Sequence, residues 1–537
     1  VTRDTPSFFT LDRGTTTTAA TLVAPVEGRY RMLAAGAVPA EVEPEVLLED
    51  LAWRVARTDA AVAGSMEGWR DWPRLEVRTW RAPRACLVAA SPETGMLLER
   101  AVAGAGWQVT ARFYGPEPDL IEFGEACLEE TVDAVIVGGR ETADESERDH
   151  ARLLWPRAGS LARLRDDLAV IACGPFIERP EGIPDDRLFA LPAPDASQAA
   201  LPLRQAALQV GGHLVNGGPV TGVDGHTALR TAIGSLAVLL ERRVEGIEVG
   251  AAVGSRTLVG SDGELRHAIT AEGGLLPRAL LEDDDVAESI LGWSSLPGDL
   301  ASRFDRLRDL ALRPWSQVDR EGVHLRLAAL RAALERMQAR WEALAPDPRP
   351  DGATPDVVVL SGGGFALLPA AASALAVADA IRRTGASTIL HDHARLLAPL
   401  GALPVEADRR RLLSDLMDDA LLPIGSSLLT GAPGGNGKGP GTVTISSMLG
   451  EEEVSLEAGQ LLLVDLPPGI VARLEIDPGS GSVLGVERQR LRLEASGGLG
   501  GLLIDTRDVP LDWPANGEQR RALLERWEEP VWMGSDR

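Results

Sequence analysis

Leu11-Asp12-Arg13-Gly14-Thr15-Thr16-Thr17-Thr18 follows the apolar pair Phe8–Phe9 and precedes the apolar stretch Ala19–Val23. The pattern predicts a strand, a tight hydroxyl-lined turn at the glycine, and a return strand. Backbone N–H groups and hydroxyls at such a turn can cradle phosphate, and an adjacent carboxylate can hold Mg²⁺ through water. Threonine is also a good strand former, so a plain hairpin satisfies the same residues. A second turn of the same kind, far down the chain, gives the first one its interest.

Two later stretches qualify. Strand-like Ile247–Val253 and Arg256–Val259 flank a small-residue turn with Ala252, Gly254 and Ser255, and Glu248 takes a place where an acid would face that turn. An ordinary hairpin fits these residues equally well. Further on, Val357–Leu360 runs into Ser361-Gly362-Gly363-Gly364. A buried strand opening into three glycines permits close approach by a flat or phosphorylated ligand, because no Cβ intrudes; close packing is the competing use. Nearby His391, Asp392 and His393 form an H-x-H pair, but without another clear ligand a metal centre is not expected there.

Composition sets the class. The 537 residues are 45% hydrophobic and 25% charged, which suits a globular protein of three or four domains. Aromatics are only 4%, so Leu, Val and Ala must build the cores. A net charge of −25 argues against a nucleic-acid partner. Lys438 is the only lysine, which disfavours a Walker-type phosphate lysine or a Schiff base. The cysteines Cys86, Cys127 and Cys173 show no metal or disulfide spacing, and no stretch reaches 18 uninterrupted apolar residues. With no signal-like apolar run at the start either, a cytoplasmic setting away from membranes is expected.

Periodicity divides the chain. Residues 7–85 read as a first lobe, with strands at Tyr30–Val38 and Arg74–Thr79 and a helix from Pro44. Residues 86–195 alternate short apolar strands with helices, which predicts an inserted three-layer α/β domain around a parallel sheet. Gly138 and Gly139 end one of its strands, but no complete Gly-x-Gly-x-x-Gly fingerprint is present, so they read as a tight turn. Residues 196–430 hold the rest of the core, including a second lobe and a long helix at 320–344 with an apolar stripe of Val323, Leu327, Leu330, Leu334, Met337 and Trp341. Gly431–Gly441 reads as a linker around Lys438. The period then shifts towards two, so 442–537 reads as a β-rich domain with a closing helix from Asn516.

Two phosphate-loop candidates, a later glycine-rich strand end and an inserted α/β domain resemble the actin/hexokinase/Hsp70-like ATPase superfamily, whose members hold nucleotide between two related lobes. The closer resemblance is to the MutL family associated with adenosylcobalamin-dependent glutamate mutase, unrelated to the mismatch-repair protein of that name. Its members open on a run like Asp-x-Gly-Ser-Thr-x-Thr-Lys, matched here by Asp12-Arg13-Gly14-Thr15-Thr16-Thr17-Thr18-Ala19. The resemblance covers most of the chain, including Val357–Gly364, Ile389–Leu403 and Gly497–Trp513.

It implies an actin-like two-lobed ATPase fold that binds ATP and Mg²⁺. Asp12 would face the metal, and Asp12 or Glu248 would position water. Gly14, Thr15, Thr16, Thr18, Gly254, Ser255, Gly362, Gly363 and Gly364 would surround the nucleotide. The implied role is an accessory or chaperone-like partner of a cobalamin-dependent mutase. The departures concern chemistry. Ala19 stands where a lysine is expected, and Glu248-Val249-Gly250-Ala251-Ala252-Val253-Gly254-Ser255 replaces a run like Asp-Ile-Gly-Gly-Ala-Thr-Thr-Asp. Arg256 is a candidate for the missing positive charge. A nucleotide-free scaffold, and a small-molecule kinase or hydrolase of the same fold, remain the alternatives.

Overall fold

The computed structural model describes residues 7–533 apart from 59–67, 116–118, 175–181, 197–199, 217–221, 261–262, 278–279, 281–282, 314–318, 345–353, 431–440, 478–481, 484–485 and 488–489. The linker read around Lys438 therefore lies almost wholly outside the described residues.

Phe8–Arg13 (β1), Thr17–Val26 (β2) and Arg29–Pro39 (β3) form an antiparallel meander, and Arg74–Arg78 (β4) joins β1 in parallel. Alternation along β1 drives the layering. Phe9 and Leu11 pack under the helix Pro44–Thr58, while Phe8 faces the opposite side, against the helix Gly225–Leu240. Both faces are thus covered.

The chain then leaves for the inserted domain. Arg84–Ala89 (β5), Gln108–Tyr114 (β6), Ala134–Gly138 (β7), Ala169–Cys173 (β8) and Leu188–Leu191 (β9) make an all-parallel sheet in the order β6-β5-β7-β8-β9. Strands β7 and β8 are buried throughout, as continuous apolar runs between two helix layers should be. On its return, Val223–Asp224 (β10) pairs in parallel with β4 and completes the first sheet, β10-β4-β1-β2-β3.

The second lobe repeats this plan. Val244–Val249 (β11), Gly254–Val259 (β12) and Leu265–Thr270 (β13) are an antiparallel meander, and Val357–Ser361 (β14) and Gly385–Asp392 (β15) add in parallel beside β11. Its order, β13-β12-β11-β14-β15, is that of β3-β2-β1-β4-β10. Leu421–Leu429 (β16) extends the second sheet. The C-terminal segment adds Gly441–Ser447 (β17), Gly450–Leu456 (β18), Leu461–Val464 (β19), Val471–Asp477 (β20), Ser482–Val483 (β21), Val486–Glu487 (β22), Leu491–Ser496 (β23) and Leu502–Asp505 (β24). Strands β24 and β19 continue the large sheet, whereas β18-β17-β20-β23 form a small sheet of their own. The molecule is therefore a mixed α/β protein with two sheet lobes and a β-rich C-terminal region. No helix among the described residues is long and apolar enough to cross a membrane.

The helix Arg320–Leu344 departs from the one-sided stripe its sequence suggests. Residues 325–334 are all buried, Arg326 and Arg331 included, because the helix packs on the second sheet and on Ala370–Ala380 together. Burying arginine requires partners. Arg331 Nε lies 2.6 Å from Asp379 and its Nη1 2.5 Å from Glu528, on the closing helix Gly517–Met533. Arg507 reaches Asp379 at 2.7 Å and Asp505 at 2.6 Å, and Arg382 adds a 2.5 Å bond to Asp505.

Burial opposes the charge on Glu528, but Arg331 and hydrogen bonds from His324, Ser295 and Arg331 outweigh it and hold the carboxyl near 2. A depressed carboxylate stabilises the fold above its unfolded pKa, and that contribution is lost as pH falls from about 4.5 towards 2. Glu528→Gln should therefore lower stability at pH 7 by about 3 kcal/mol, with the deficit closing at low pH. Urea titrations at both pH values check this; equal losses at both would refute the charge argument.

Candidate functional site

The repeated sheets bring their first hairpins mouth to mouth. In the first lobe Gly14 N–H donates to Thr17 O at 2.9 Å, leaving Thr15-Thr16 as the tip. In the second, Gly250 N–H donates to Val253 O at 3.0 Å, leaving Ala251-Ala252. The second turn is thus Gly250–Val253, two residues earlier than the sequence suggests, because the register pairs Val249 with Gly254. Each glycine follows a carboxylate by two positions: Asp12 opposite Ala19, and Glu248 opposite Ser255.

One narrow cleft runs between them. Of the residues singled out from sequence, Asp12, Gly14, Thr15, Thr16, Glu248, Gly362, Gly363 and Gly364 line it together. Thr18, Gly254 and Ser255 are not in the lining; Thr18 and Ser255 are buried strand residues behind it. The glycine run divides its labour. Gly362 has φ +89°, and a Cβ there would meet Val249 O at 2.5 Å, while a Cβ at Gly363 would meet nothing within 4 Å. Gly364 N–H donates to Val249 O at 2.8 Å, so two glycines lock the strand end to the second hairpin and one stays open to the cleft.

The cleft's positive charge does not come from Arg256. That guanidinium is buried 2.5 Å from Glu245 and over the Trp341 ring, on the far side of β12. Arg395 and Arg326 line the cleft instead. Arg395 adopts φ 52°, an unusual backbone for a non-glycine residue, which places its guanidinium 3.8 Å from Asp12 and 3.1 Å from Thr17 Oγ1. No local pattern marks Arg395 in the sequence, since its partner Thr17 stands 378 residues away.

The two carboxylates differ. Burial pushes Asp12 up to about 6; Arg395 and His226 only partly offset this, and Glu248 adds to it. Burial acts on Glu248 too, but His226 and the Ser255 hydroxyl hold it below its ordinary value. His226 Nδ1 and Ser255 Oγ each lie 2.7 Å from Glu248 Oε2. Asp392 sits behind the cleft, pushed by burial to about 7 despite bonds from Ser361 and the Leu396 and Leu397 amides.

The hairpin tips contrast as well. The first offers hydroxyls. The second is apolar, and Leu275 N–H and Leu276 N–H tie down its Gly250 and Ala251 carbonyls at 2.9 and 3.1 Å. Among the described residues no three carboxylate, imidazole or thiolate groups form a metal site by themselves, the H-x-H pair included.

No protein-family model matches the chain, and no curated protein matches it. Solved structures do show likenesses. The activator of the 2-hydroxyisocaproyl-CoA dehydratase from Clostridium difficile with bound ADPNP is 10% identical, with 76% of this chain and 96% of that one covered at a TM-score of 0.26. The nucleotide-free acetone carboxylase is 9% identical, covering 83% and 80%, and the ATP-dependent caprolactamase from Pseudomonas jessenii is 12% identical, covering 84% and 81%, both with TM-scores of 0.29. These likenesses are distant; the two-lobed arrangement stands on the strand orders and paired hairpins.

Two stability outcomes follow from the geometry. Gly362→Ala, with its positive φ and blocked Cβ, should cost more than ~2 kcal/mol, whereas Gly363→Ala should stay within about 0.5 kcal/mol. Denaturation midpoints for the pair test this, and equal losses would contradict the assignment. Asp12 carries a raised pKa, so its ionised form costs stability above pH 6 and nothing below about 3.8. Asp12→Asn should accordingly stabilise the unliganded protein by about 1–3 kcal/mol at pH 7.5, with no gain near pH 3.5. A gain of the same size at both pH values would count against it.

Proposed function

We propose that this protein is a nucleotide-responsive accessory protein with an actin-like two-lobed core, in which bound nucleotide phosphates bias lobe closure. The observation that supports this most is the convergence, in one cleft, of the Asp12–Thr17 hairpin, the Glu248–Val253 hairpin, the Gly362–Gly364 turn and Arg395. The donors suit a phosphate tail: the Thr15-Thr16 tip offers backbone N–H groups and hydroxyls, and Arg395 supplies the counter-charge that Ala19 cannot. Asp12 is the residue that would hold Mg²⁺, which characteristically binds through one or two carboxylates plus water and substrate phosphates rather than an all-protein cage. When bound, that ion would neutralise phosphate charge. A desolvated Asp12 that resists ionisation on its own is suited to such a cation.

The apolar second tip favours binding over turnover. Ala251, Ala252 and Val253 offer no hydroxyls, and Glu248 Oε2 is engaged by His226 and Ser255. A kinase or hydrolase on this core would need a base free to touch a second substrate, which makes that alternative weaker. The same apolar tip supports a second reading, a scaffold that uses no nucleotide. The client, an adenosylcobalamin-dependent mutase, is proposed from the resemblance of the opening hairpin. Size-exclusion runs of the two proteins, with and without nucleotide, test it; separate elution in both conditions would remove the client.

Calorimetry with ATP and ADP, with and without Mg²⁺, tests the site. Binding should require Mg²⁺ and should weaken at least ~10-fold, about 1.4 kcal/mol, in Asp12→Asn and again in Arg395→Ala. Unchanged affinity in a folded variant would take that residue out of the site, and no binding by folded wild type would favour the scaffold.

A further inference from the structure

We infer that occupancy of the cleft is transmitted to the inserted domain through a buried relay, Glu248–His226–Asp224–Arg204, that ends at Ala105. The inference rests on the nucleotide reading above and assigns it a regulatory output. The relay begins at the cleft, where Glu248 Oε2 lies 2.7 Å from His226 Nδ1. His226 stands in the first turn of the helix Gly225–Leu240, whose N-cap is Asp224; its carboxylate accepts from Thr227 N–H at 3.0 Å. Arg204, on the helix Ala200–Asn216 that returns from the insert, grips Asp224 twice, at 2.6 and 3.2 Å. Its Nη1 then donates to Ala105 O at 3.4 Å, where the insert's first helix, Pro92–Gly104, ends. Beside it Trp107 Nε1 donates to Leu203 O at 3.1 Å. His226, Asp224 and Arg204 are all buried, so none of these bonds is weakened by water.

A second route reaches the same residue from the hairpin that carries Glu248. The Leu275 and Leu276 amides hold the tip of that hairpin. Arg336 clamps the preceding segment by the carbonyls of Glu272 at 2.7 Å and Gly274 at 3.1 Å. The segment leads back into β13, where Ile269 forms a parallel bridge with Ala105, and a Cβ on neighbouring Gly106 would lie 2.8 Å from the Ile269 side chain. The first route passes from His226 to Asp224 through the helix's first turn, the second along the backbone from 272–274 into β13, and both meet at the insert's seat, 105–107.

The physical switch is the Glu248–His226 bond. A phosphate bound beside Glu248 would repel its carboxylate, and an accompanying cation would compete with His226 for the same oxygen. Either shift loads the start of the 225–240 helix and the Asp224–Arg204 pair behind it. Coupling of this kind is reciprocal, so the insert's seating must also set nucleotide affinity.

Hydrogen exchange on the full chain, with and without Mg²⁺ and the non-hydrolysable imido analogue of ATP, tests the inference, alongside calorimetry of the same samples. In wild type, amides of residues 10–20 and 248–256 should be protected, and those of 103–109 should change rate at least threefold. In Arg204→Gln and His226→Asn the hairpins should still respond while the change at 103–109 falls away, and Arg204→Gln should alter nucleotide affinity several-fold. Protected hairpins with an unmoved 103–109 in wild type would overturn the relay and leave the nucleotide site standing. No binding by calorimetry would overturn both. Should the variants not fold, the wild-type comparison decides alone.

Discussion

A hairpin closed by one glycine N–H, with a carboxylate two residues before it, is the constraint on which the rest of this protein hangs. Gly14 to Thr17 and Gly250 to Val253 make the same bond in the same register, and each fixes an acid at the mouth of its turn. The meander that follows each hairpin is itself repeated, and in the packed molecule both turns line one cleft. The cleft is thus a consequence of duplicated strand order, and its polarity is a consequence of what each tip carries.

The tips have diverged in opposite directions. Four threonines follow Gly14, whereas two alanines and a valine follow Gly250, under a strap of Leu275 and Leu276. One lobe therefore offers ligands and the other offers shape. In the nucleotide reading proposed above, such a cleft would hold its anion mainly from one side, with the second hairpin tied to the segment before Leu275 and Leu276. Burial raises the pKa of Asp12 in the cleft and of Asp392 behind it, so both carboxylates resist ionisation.

Arginine carries the burdens that lysine shares in most proteins. Arg331, Arg507 and Arg382 weld the closing helix and β24 to the second lobe through Asp379, Asp505 and Glu528. Arg204 ties the insert's return to the first sheet, and Arg395 charges the cleft. The planar, multi-donor guanidinium can satisfy two carboxylates at once, which lets cations be buried in cores poor in aromatic residues.

The sequence alone determined the local elements. Alternation around Phe8–Val23 set a hairpin, apolar runs at Val132–Val137 and Leu168–Ala172 set buried parallel strands, and the Gly362–Gly364 run marked a close approach. These are readable because side-chain period and glycine's missing Cβ act within a few residues. Only the tertiary structure decided which of them meet. It drew β10 back to the first sheet after the insert, moved the second turn to Gly250–Val253, and sent Arg256 to Glu245. It brought Arg395 to Thr17 across nearly four hundred residues. Those outcomes depend on strand register and on which buried charge finds a partner, and such pairings are settled by packing between elements distant in the chain.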